Sequence, residues 1–296
     1  MSGYQIITDS TSDLTQQMVD DMGVELIPMN FTIGSDSYLD YADERDLASH
    51  AFYQRLAAGE PSTTNQIPLT TFTEVFERHL QAGEDVLYLG FSSGLSGTYN
   101  NSVLVARDLA EKYPERKIYA VDTLAASLGE GLLVWHAVQK QRAGADIDEV
   151  RDWTEQNKLR LHHWFTVDDL NHLKRGGRVS GAAALMGTML GIKPVLHVDD
   201  EGHLILIEKV RGRRQSLDGL VEHMGKTSED ARNQMIFISH GDSPDAAGYV
   251  KEQVAEKFGA TRFEIAPIGP VIGAHSGNGT VALFYLGKDR EAEQHG

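Results

Sequence analysis

The sequence predicts an α/β fold in which helices cover both faces of a mainly parallel sheet. In the first half of the chain, short apolar runs typical of buried strands alternate with helical patterns of ten or so residues. The clearest unit is the run 86–90, followed by a loop rich in serine and glycine and by a helical pattern that begins near Gly97 or Thr98. Ligands of such sheets lie beyond the carboxyl ends of the strands.

The other elements of this half follow the same alternation. Strands are expected at 4–8, 24–31 and 117–121, and helices near 14–22, 52–56, 72–80 and 128–138. Loops at 9–12, 92–98 and 122–123 follow strands, so they are expected to meet at one edge of the sheet. The hydroxyl-rich segment 62–66 is expected to be a loop that joins them.

The pattern changes after about residue 158. A turn at 199–202 between apolar runs predicts an antiparallel hairpin, and further strands are expected at 235–239, 262–266 and 281–286. The sequence therefore predicts two α/β domains, residues 1–160 with the parallel sheet and residues 161–296 with a mixed sheet. A ligand cleft is expected between them.

Composition limits the function. The 296 residues are 41% hydrophobic and 8% aromatic, which is enough for a packed core, and they carry a net charge of −16. Such a charge repels a phosphate backbone and argues against nucleic-acid binding. The sequence contains no cysteine, which fits a reducing compartment such as the cytoplasm. No secretory signal and no apolar run long enough to span a membrane is visible in it. We therefore expect a cytoplasmic protein.

The loop SSGLSGT at 92–98 has the features of an anion site. It lies between a strand and a helix N-terminus, where unpaired N–H groups and the helix dipole attract negative charge. Its small residues let an anion approach the backbone, and its hydroxyls add donors. We expect this loop to hold the acidic head of a small molecule through donors that include Ser96, Gly97 and Thr98.

One alternative reading of the same loop is catalytic. GFSSG at 90–94 matches the nucleophile elbow of serine hydrolases, with Ser92 as nucleophile and with Asp242 and His275 downstream in the expected order. However, an elbow turns directly into a helix, whereas the segment 94–97 intervenes here.

The sequence contains no phosphate-loop, dinucleotide-binding or zinc-protease motif. The adjacent His162 and His163 cannot face one metal from a helix, so no metal site is expected.

Three further features of the sequence each allow two interpretations. His275 lies between glycines, so its ring is available to a carboxylate or phosphoryl oxygen, although a backbone contact explains it as well. Basic residues cluster around Arg175 and Arg178 and around Arg211 and Arg213, which suggests a docking face for an acidic partner, or ordinary ion pairs. The soft apolar run 181–192 is expected to be a buried helix or the lining of a tunnel.

Five motifs together resemble the DegV family, the fatty-acid-binding proteins that serve bacterial fatty acid kinase. They are DSTSDL at 9–14, SSGLSGTY at 92–99, LKRGGRVS at 173–180, GIKP at 191–194 and GPVIGAHSG at 269–277. They occur in order over nearly the whole chain. The resemblance implies two packed α/β domains with an acyl chain buried between them.

The resemblance also implies a carboxylate held by a threonine, a serine and a histidine. On this chain they fall at Thr64, at a serine of 92–96 for which we favour Ser93, and at His275, with Ser276 beside it. The family's usual Thr-Ser-Gln-Pro reads TNQI at 64–67 here, and its usual His-Thr-Gly-Pro-Gly reads HSGNG at 275–279. Neither change removes the donors, but both affect which acyl chain is preferred.

The expected function is therefore that of a carrier, not an enzyme. The resemblance implies that the protein binds a long-chain fatty acid in a buried apolar tunnel and presents its carboxylate to a separate ATP-dependent fatty acid kinase subunit. It would then carry the acyl-phosphate product and contact membranes transiently for acyl exchange, with the helix after Arg178 as a lid. No cofactor is expected. The alternative is an esterase or thioesterase that uses Ser92.

Overall fold

The computed structural model describes residues 3–179 and 191–290, and it has the α/β architecture that the sequence predicts. The strands are β1 (Tyr4–Asp9), β2 (Glu25–Ile27), β3 (Asn30–Ile33), β4 (Asp36–Leu39), β5 (Ser62–Asn65), β6 (Asp85–Gly90), β7 (Ile118–Asp122), β8 (Leu161–Thr166), β9 (Ile192–Val198), β10 (Leu204–Arg211), β11 (Ile236–His240), β12 (Phe263–Pro267) and β13 (Val281–Leu286). The helices are α1 (Gln16–Met22), α2 (Ser49–Ala57), α3 (Leu69–Gln81), α4 (Thr98–Lys112), α5 (Leu128–Arg142), α6 (Ile147–Asn157), α7 (Asn171–Gly176), α8 (Arg213–Thr227), α9 (Pro244–Phe258) and α10 (Pro270–Ser276). No helix among the residues described is long and apolar enough to cross a bilayer.

The first sheet is parallel throughout, with the strand order β2-β1-β6-β7. Successive side chains of a strand point to opposite faces, and here each face has its own core. Ile6 and Leu87 pack with α5 on one side, whereas Ile7 and Tyr88 pack with α3 and α4 on the other. Because both faces are covered, β6 is buried along its whole length, which is why its sequence is continuously apolar.

The second large sheet is mixed and has the order β10-β9-β8-β13-β11-β12. Its β9–β10 pair is the antiparallel hairpin predicted around residues 199–202, and β11 and β12 are its parallel pair. All of its strands lie within residues 161–286, and those of the parallel sheet lie within residues 4–122. The mixed second sheet is confirmed, while the division of the chain at residue 160 stays a prediction.

The expected strand 24–31 is wrong as a single element. The segment forms two short strands in different sheets, β2 in the parallel sheet and β3 in a small antiparallel sheet with the order β4-β3-β5. Pro28 separates them, because a proline has no N–H for the ladder and its ring fixes φ. The next N–H, that of Met29, donates to the Ser10 Oγ at 3.0 Å instead of to a strand.

The segment 62–66 was expected as a loop, and this expectation is also wrong. Residues Ser62–Asn65 form β5, which pairs antiparallel with β3. Threonine hydroxyls bond across the pair, with 2.7 Å between the Oγ1 atoms of Thr32 and Thr63, so threonines that look like loop residues stabilise a strand. The strand fixes Thr64 opposite Phe31, on the inner side of the small sheet.

Helix α10 carries His275, and two buried carboxyl groups anchor its first turn. The Gly269 N–H donates to Asp13 Oδ1 at 2.9 Å, and the Val271 N–H donates to Asp40 Oδ2 at 3.3 Å. These N–H groups have no partner inside the helix, so the carboxyl oxygens satisfy them. Burial raises the pKa of Asp13 well above its usual range and raises the pKa of Asp40 to about 7.

The raised pKa of Asp40 predicts a stability that falls as the pH rises. Between the unfolded pKa near 3.9 and a folded pKa of about 7, the folded state keeps a proton that the unfolded chain releases. The free energy of unfolding should then decrease by up to about 1.4 kcal/mol per pH unit in this range from Asp40 alone. Asp40→Asn keeps the acceptor for Val271 and should flatten this part of the profile.

Urea unfolding at intervals between about pH 4 and 8 measures the slope. Asp108→Asn is the matched control, because the side chain of Asp108 is 73% exposed. A profile that Asp40→Asn leaves unchanged would show that this carboxyl is already ionised in the folded protein.

Candidate ligand-binding site

A cavity of about 250 Å³ lies where the loops after the parallel strands meet the six-stranded sheet. Most of its wall is apolar. The sheet contributes Phe165, Val198, Leu204, Ala282 and Phe284, and the facing loops and helices contribute Phe91, Leu95, Leu173, Ile268, Val271 and Ile272. Residues from both halves of the chain therefore form one apolar space, at the edge of the parallel sheet where the sequence predicts a ligand.

Polar groups also line this cavity, and two of them are in contact. The Thr64 Oγ1 atom lies 2.8 Å from the His275 Nε2 atom, although the two residues are 211 positions apart in the chain. Ser96 and Gly97 line the same cavity, and Gly97 is the residue that directly precedes α4. The cavity therefore combines an apolar body with a small set of hydrogen-bonding groups.

His275 is electrically neutral near physiological pH. Desolvation by the surrounding protein is the main reason that its pKa falls to about 4, and the nearby Arg178 guanidinium lowers it further. Gly176 of α7 allows this packing, since a Cβ at this glycine would lie 2.4 Å from the His275 Nδ1 atom. A neutral imidazole has one donor and one acceptor nitrogen, so Nε2 can exchange its bond to Thr64 for a bond to a ligand oxygen.

Ser276 adds a further polar group to the wall. Its side chain is buried and lines the cavity, and its Oγ has no hydrogen-bond partner within the described part of the chain. A buried hydroxyl without a partner costs free energy, and a ligand oxygen in the cavity would remove that cost.

The serines of the 92–96 loop lie in different environments. Ser92 is fully buried outside the cavity wall, where its Oγ donates to the Gly202 carbonyl at 2.8 Å and accepts the Gly94 N–H at 3.2 Å. Ser93 is exposed, its N–H donates to Asp122 Oδ1 at 3.2 Å, and its side chain is likewise outside the wall. The preference for Ser93 is therefore not supported, because the loop turns this side chain outward and Ser96 inward.

Thr98 has a local role. Its Oγ1 accepts the Ile67 N–H at 3.3 Å and lies 3.0 Å from the Ser96 Oγ atom, which in turn accepts the Thr98 N–H at 3.2 Å. Thr98 is therefore outside the cavity wall and holds Ser96 and the first turn of α4 in place.

The three residues of a hydrolase triad do not come together. The Asp242 carboxylate contacts His50 Nδ1 at 2.9 Å, His275 contacts Thr64, and the Ser92 hydroxyl is bound to the backbone of Gly202. A serine nucleophile needs a base within hydrogen-bonding reach, and no imidazole occupies that position next to Ser92 among the contacts of the described residues.

An outer pocket of about 660 Å³ lies on the other side of the polar pair and shares Thr64, Arg178 and His275 with the cavity. Its wall also contains His172, Arg175 and Glu60. The Thr64–His275 contact thus stands between an apolar inner space and a pocket with basic side chains.

The four arginines proposed for partner docking fall into two places. Arg175, which contacts His172 Nδ1 at 3.0 Å, and Arg178, which donates to the Gly176 carbonyl, line the outer pocket. Arg211 is exposed at the end of β10. Arg213 is partly buried and donates to the Gly279 carbonyl, so it holds the segment after α10.

The soft apolar run 181–192 and the proposed lid after Arg178 lie outside the described residues, apart from Gly191 and Ile192.

His162 and His163 lie side by side on β8, and both are buried. His163 also lines the cavity, which sequence reasoning missed. The signal was its position two residues before Phe165 on the same strand, because alternate side chains share one face.

Sequence and structure comparisons identify close relatives. A family model described as "Uncharacterised protein, DegV family" matches residues 4–288. A DegV domain-containing protein of Clostridium perfringens is 43% identical over 291 residues, which are 98% of this chain and 100% of the relative.

The chain belongs to the DegV family. The resemblance found in the sequence motifs is thereby confirmed. The crystal structure of a fatty acid binding DegV family protein from Streptococcus agalactiae superposes with a TM-score of 0.83 at 30% identity, covering 97% of this chain and 100% of that one. A Thermus thermophilus structure, described as fatty acid binding of a DegV family protein, gives a TM-score of 0.85 at 28% identity, covering 96% and 99%.

The electrostatics of His275 yield a prediction. Its imidazole should titrate with a pKa of about 4, because protonation would place a charge in a desolvated position beside Arg178. Since the folded pKa is depressed, its contribution to stability is present above about pH 6.5 and is lost as the pH falls toward 4. NMR titration of the ring, assigned with His275→Gln, measures this value.

Arg178→Gln removes the neighbouring positive charge and should raise the pKa of His275 while the main cause, desolvation, stays. A midpoint at or above the usual value of about 6.5 would show that the ring is solvated in the folded protein.

Proposed function

We propose that this protein binds a long-chain fatty acid, with the acyl chain in the apolar cavity and the carboxylate at Thr64, Ser96 and His275. The observation that carries the proposal is the contact between Thr64 and His275 in the wall of a mainly apolar cavity that Ser96 also lines. The solved relatives whose descriptions name fatty acid binding share the fold over nearly the whole chain, which supports the same ligand class here.

The apolar wall supplies most of the proposed binding energy. Each buried methylene is worth about 0.8 kcal/mol, so a chain of about fourteen would contribute roughly 11 kcal/mol before ordering costs. The head group then sets the position of the ligand. A carboxylate removed from water needs two or three donors to avoid a penalty of several kcal/mol.

The donors around the head group are sufficient for that purpose. In this proposal the hydroxyls of Thr64 and Ser96 and the Nε2–H of His275 donate to the carboxylate, and the N-terminus of the fifteen-residue helix α4 adds a favourable dipole. The unpartnered Ser276 hydroxyl provides a fourth donor. Ser96 takes the role for which Ser93 was favoured, because Ser96 is the serine that lines the cavity.

We further propose that the protein is a carrier and not the catalyst. The carboxylate would be reachable from the outer pocket, where Arg175 and Arg178 offer charges that suit a phosphoryl group. A separate ATP-dependent fatty acid kinase subunit would act from this side, and the protein would then carry the acyl-phosphate in the cytoplasm. Exchange of acyl chains would require transient contact with a membrane. Arg211 and Arg213 lie elsewhere and are weaker candidates for contact with the kinase.

The ligand itself is the first test. Protein purified from cells and denatured for mass spectrometry should release about one long-chain acid per chain, and after delipidation it should bind a fluorescent fatty acid. Thr64→Val and Ser96→Ala should each weaken binding by roughly tenfold or more, because each removes a hydrogen bond to a charged group.

Two neighbours serve as matched controls. Thr63→Ser changes the adjacent threonine on the opposite face of β5 but keeps the hydroxyl that bonds to Thr32, and Ser93→Ala changes the exposed serine of the 92–96 loop, so both should leave the affinity unchanged. Ligand-free protein that fails to bind any long-chain acid would contradict the proposal.

The hydrolase alternative predicts covalent chemistry at Ser92. A fluorophosphonate should not label this protein, because the Ser92 hydroxyl is buried and bonded to the Gly202 carbonyl without an adjacent base. Labelling that disappears in Ser92→Ala would support an esterase or thioesterase instead. Intact-mass spectrometry of the treated protein provides the measurement.

A further inference from the structure

One strand of the six-stranded sheet borders the cavity along much of its length. Thr280, which directly precedes β13, and Ala282 and Phe284 within β13 all line the cavity. Alternate side chains of a strand share one face, and the side chains between them, Val281 and Leu283, belong to the core on the other face of the sheet. The cavity therefore runs along β13 for about 13 Å, from Thr280 to Phe284.

The Thr280 end of this run is the polar one. The Thr280 Oγ1 atom lies 3.0 Å from the Ser276 carbonyl oxygen and 2.9 Å from the Gly277 carbonyl oxygen. These two carbonyl groups directly follow His275, whose imidazole contacts Thr64. A ligand whose acidic head is held at this contact would therefore begin its path along β13 at Thr280.

Helix α5 packs onto the sheet at the other end of the run. Phe284 pairs with His163 across β8 and β13, and both side chains line the cavity. Gly129 of α5 lies against these two rings, since a Cβ at Gly129 would lie 2.4 Å from His163 Nε2 and 2.8 Å from Phe284 Cδ1. The backbone of α5 therefore closes the cavity here, and the terminal methyl group of a bound chain would lie at this end.

Ala282 lies between the two ends and has the smallest side chain of the run. Its neighbour across the strands on β8 is Phe165, and the next cavity-facing residue of its own strand is Phe284, so a methyl group stands beside two phenylalanine rings. A cavity of about 250 Å³ that extends over about 13 Å is narrow. A longer side chain at position 282 would therefore project into the path between the polar end and the closed end.

We propose that Ala282 determines the length of the acyl chain that the cavity accepts, because its small side chain lets the ligand continue to the closed end at Phe284. This inference rests on the proposed fatty-acid function. A chain that ends before Ala282 gains nothing from the deeper part of the cavity, whereas a longer chain buries additional methylene groups there. The preference for long acids over medium ones is thus assigned to one position on β13.

Competition binding with delipidated protein tests the proposal, with decanoic, octadecanoic and icosanoic acid as the probes. Ala282→Leu should weaken the binding of octadecanoic acid by about tenfold or more, because its side chain blocks the path to Phe284, and should change the affinity for decanoic acid by less than about threefold. Ala282→Val should show a smaller effect in the same direction and replaces the leucine variant if that one does not fold. Phe284→Leu enlarges the closed end and should shift the preference toward icosanoic acid.

Ala266→Leu is the matched control, with Ala266→Val beside the valine variant. Ala266 belongs to the same core as Ala282 and is 2% exposed, but it lies on β12, outside the described cavity wall. The same enlargement there should lower the thermal stability without changing the order of the three affinities.

Two results would contradict the proposal in distinguishable ways. If the variants at position 282 weaken decanoic and octadecanoic acid equally, or weaken neither, the role of Ala282 alone is overturned. If the unmodified, delipidated protein binds none of the three acids, the proposed fatty-acid function itself is overturned.

Discussion

The contact between Thr64 and His275 is the interaction on which the rest of the site depends. It joins a strand of the small sheet to a short helix from the other end of the chain, and it separates an apolar cavity from a pocket with basic side chains. Hydrogen-bonding groups at that boundary let a molecule with one acidic end be held in a single orientation. The apolar wall alone would bind hydrocarbon without fixing which end faces outward.

Buried carboxyl groups support this arrangement from behind. Asp13 accepts the N–H of Gly269, the residue that directly precedes α10, and also accepts the hydroxyl hydrogen of Ser127, a residue of the cavity wall. Asp40 accepts the next free N–H of the helix. Because a seven-residue helix has little stability of its own, the position of His275 depends on these external acceptors. The acidic motif at residues 9–13 thus serves the site indirectly, through the helix that carries the imidazole.

Much of the fold follows from the sequence, since continuous apolar strands and small-residue loops leave a strong pattern. The bounds of β6 and the start of α4 lie within a residue of their predicted positions, and the predicted hairpin is present around residues 199–202. The failures have physical causes. Pro28 divides an apolar run that looks continuous, and threonines in β5 resemble a loop until the partner strand is known. Strand pairing between distant segments is not visible in local composition.

The candidate site was predicted in kind but not in detail. Thr64 and His275 fell in motifs that the family resemblance supplied, and the structure brings them into contact. Which serine of the loop faces the cavity depends on one or two backbone angles, so sequence alone did not distinguish Ser93 from Ser96. The sequence predicts no role in the site for His163, because whether this residue lines the cavity depends on the register of β8 and β13.

The bond between Ser92 and Gly202 has a mechanical consequence. It fastens the tip of the β9–β10 hairpin to the loop after β6, and Arg290 holds the same tip through the Asp199 carbonyl. Val198 and Leu204, on either side of that tip, are part of the cavity wall. The hairpin side of the cavity wall is therefore held in place by hydrogen bonds. A long ligand would have to enter and leave the cavity through another side.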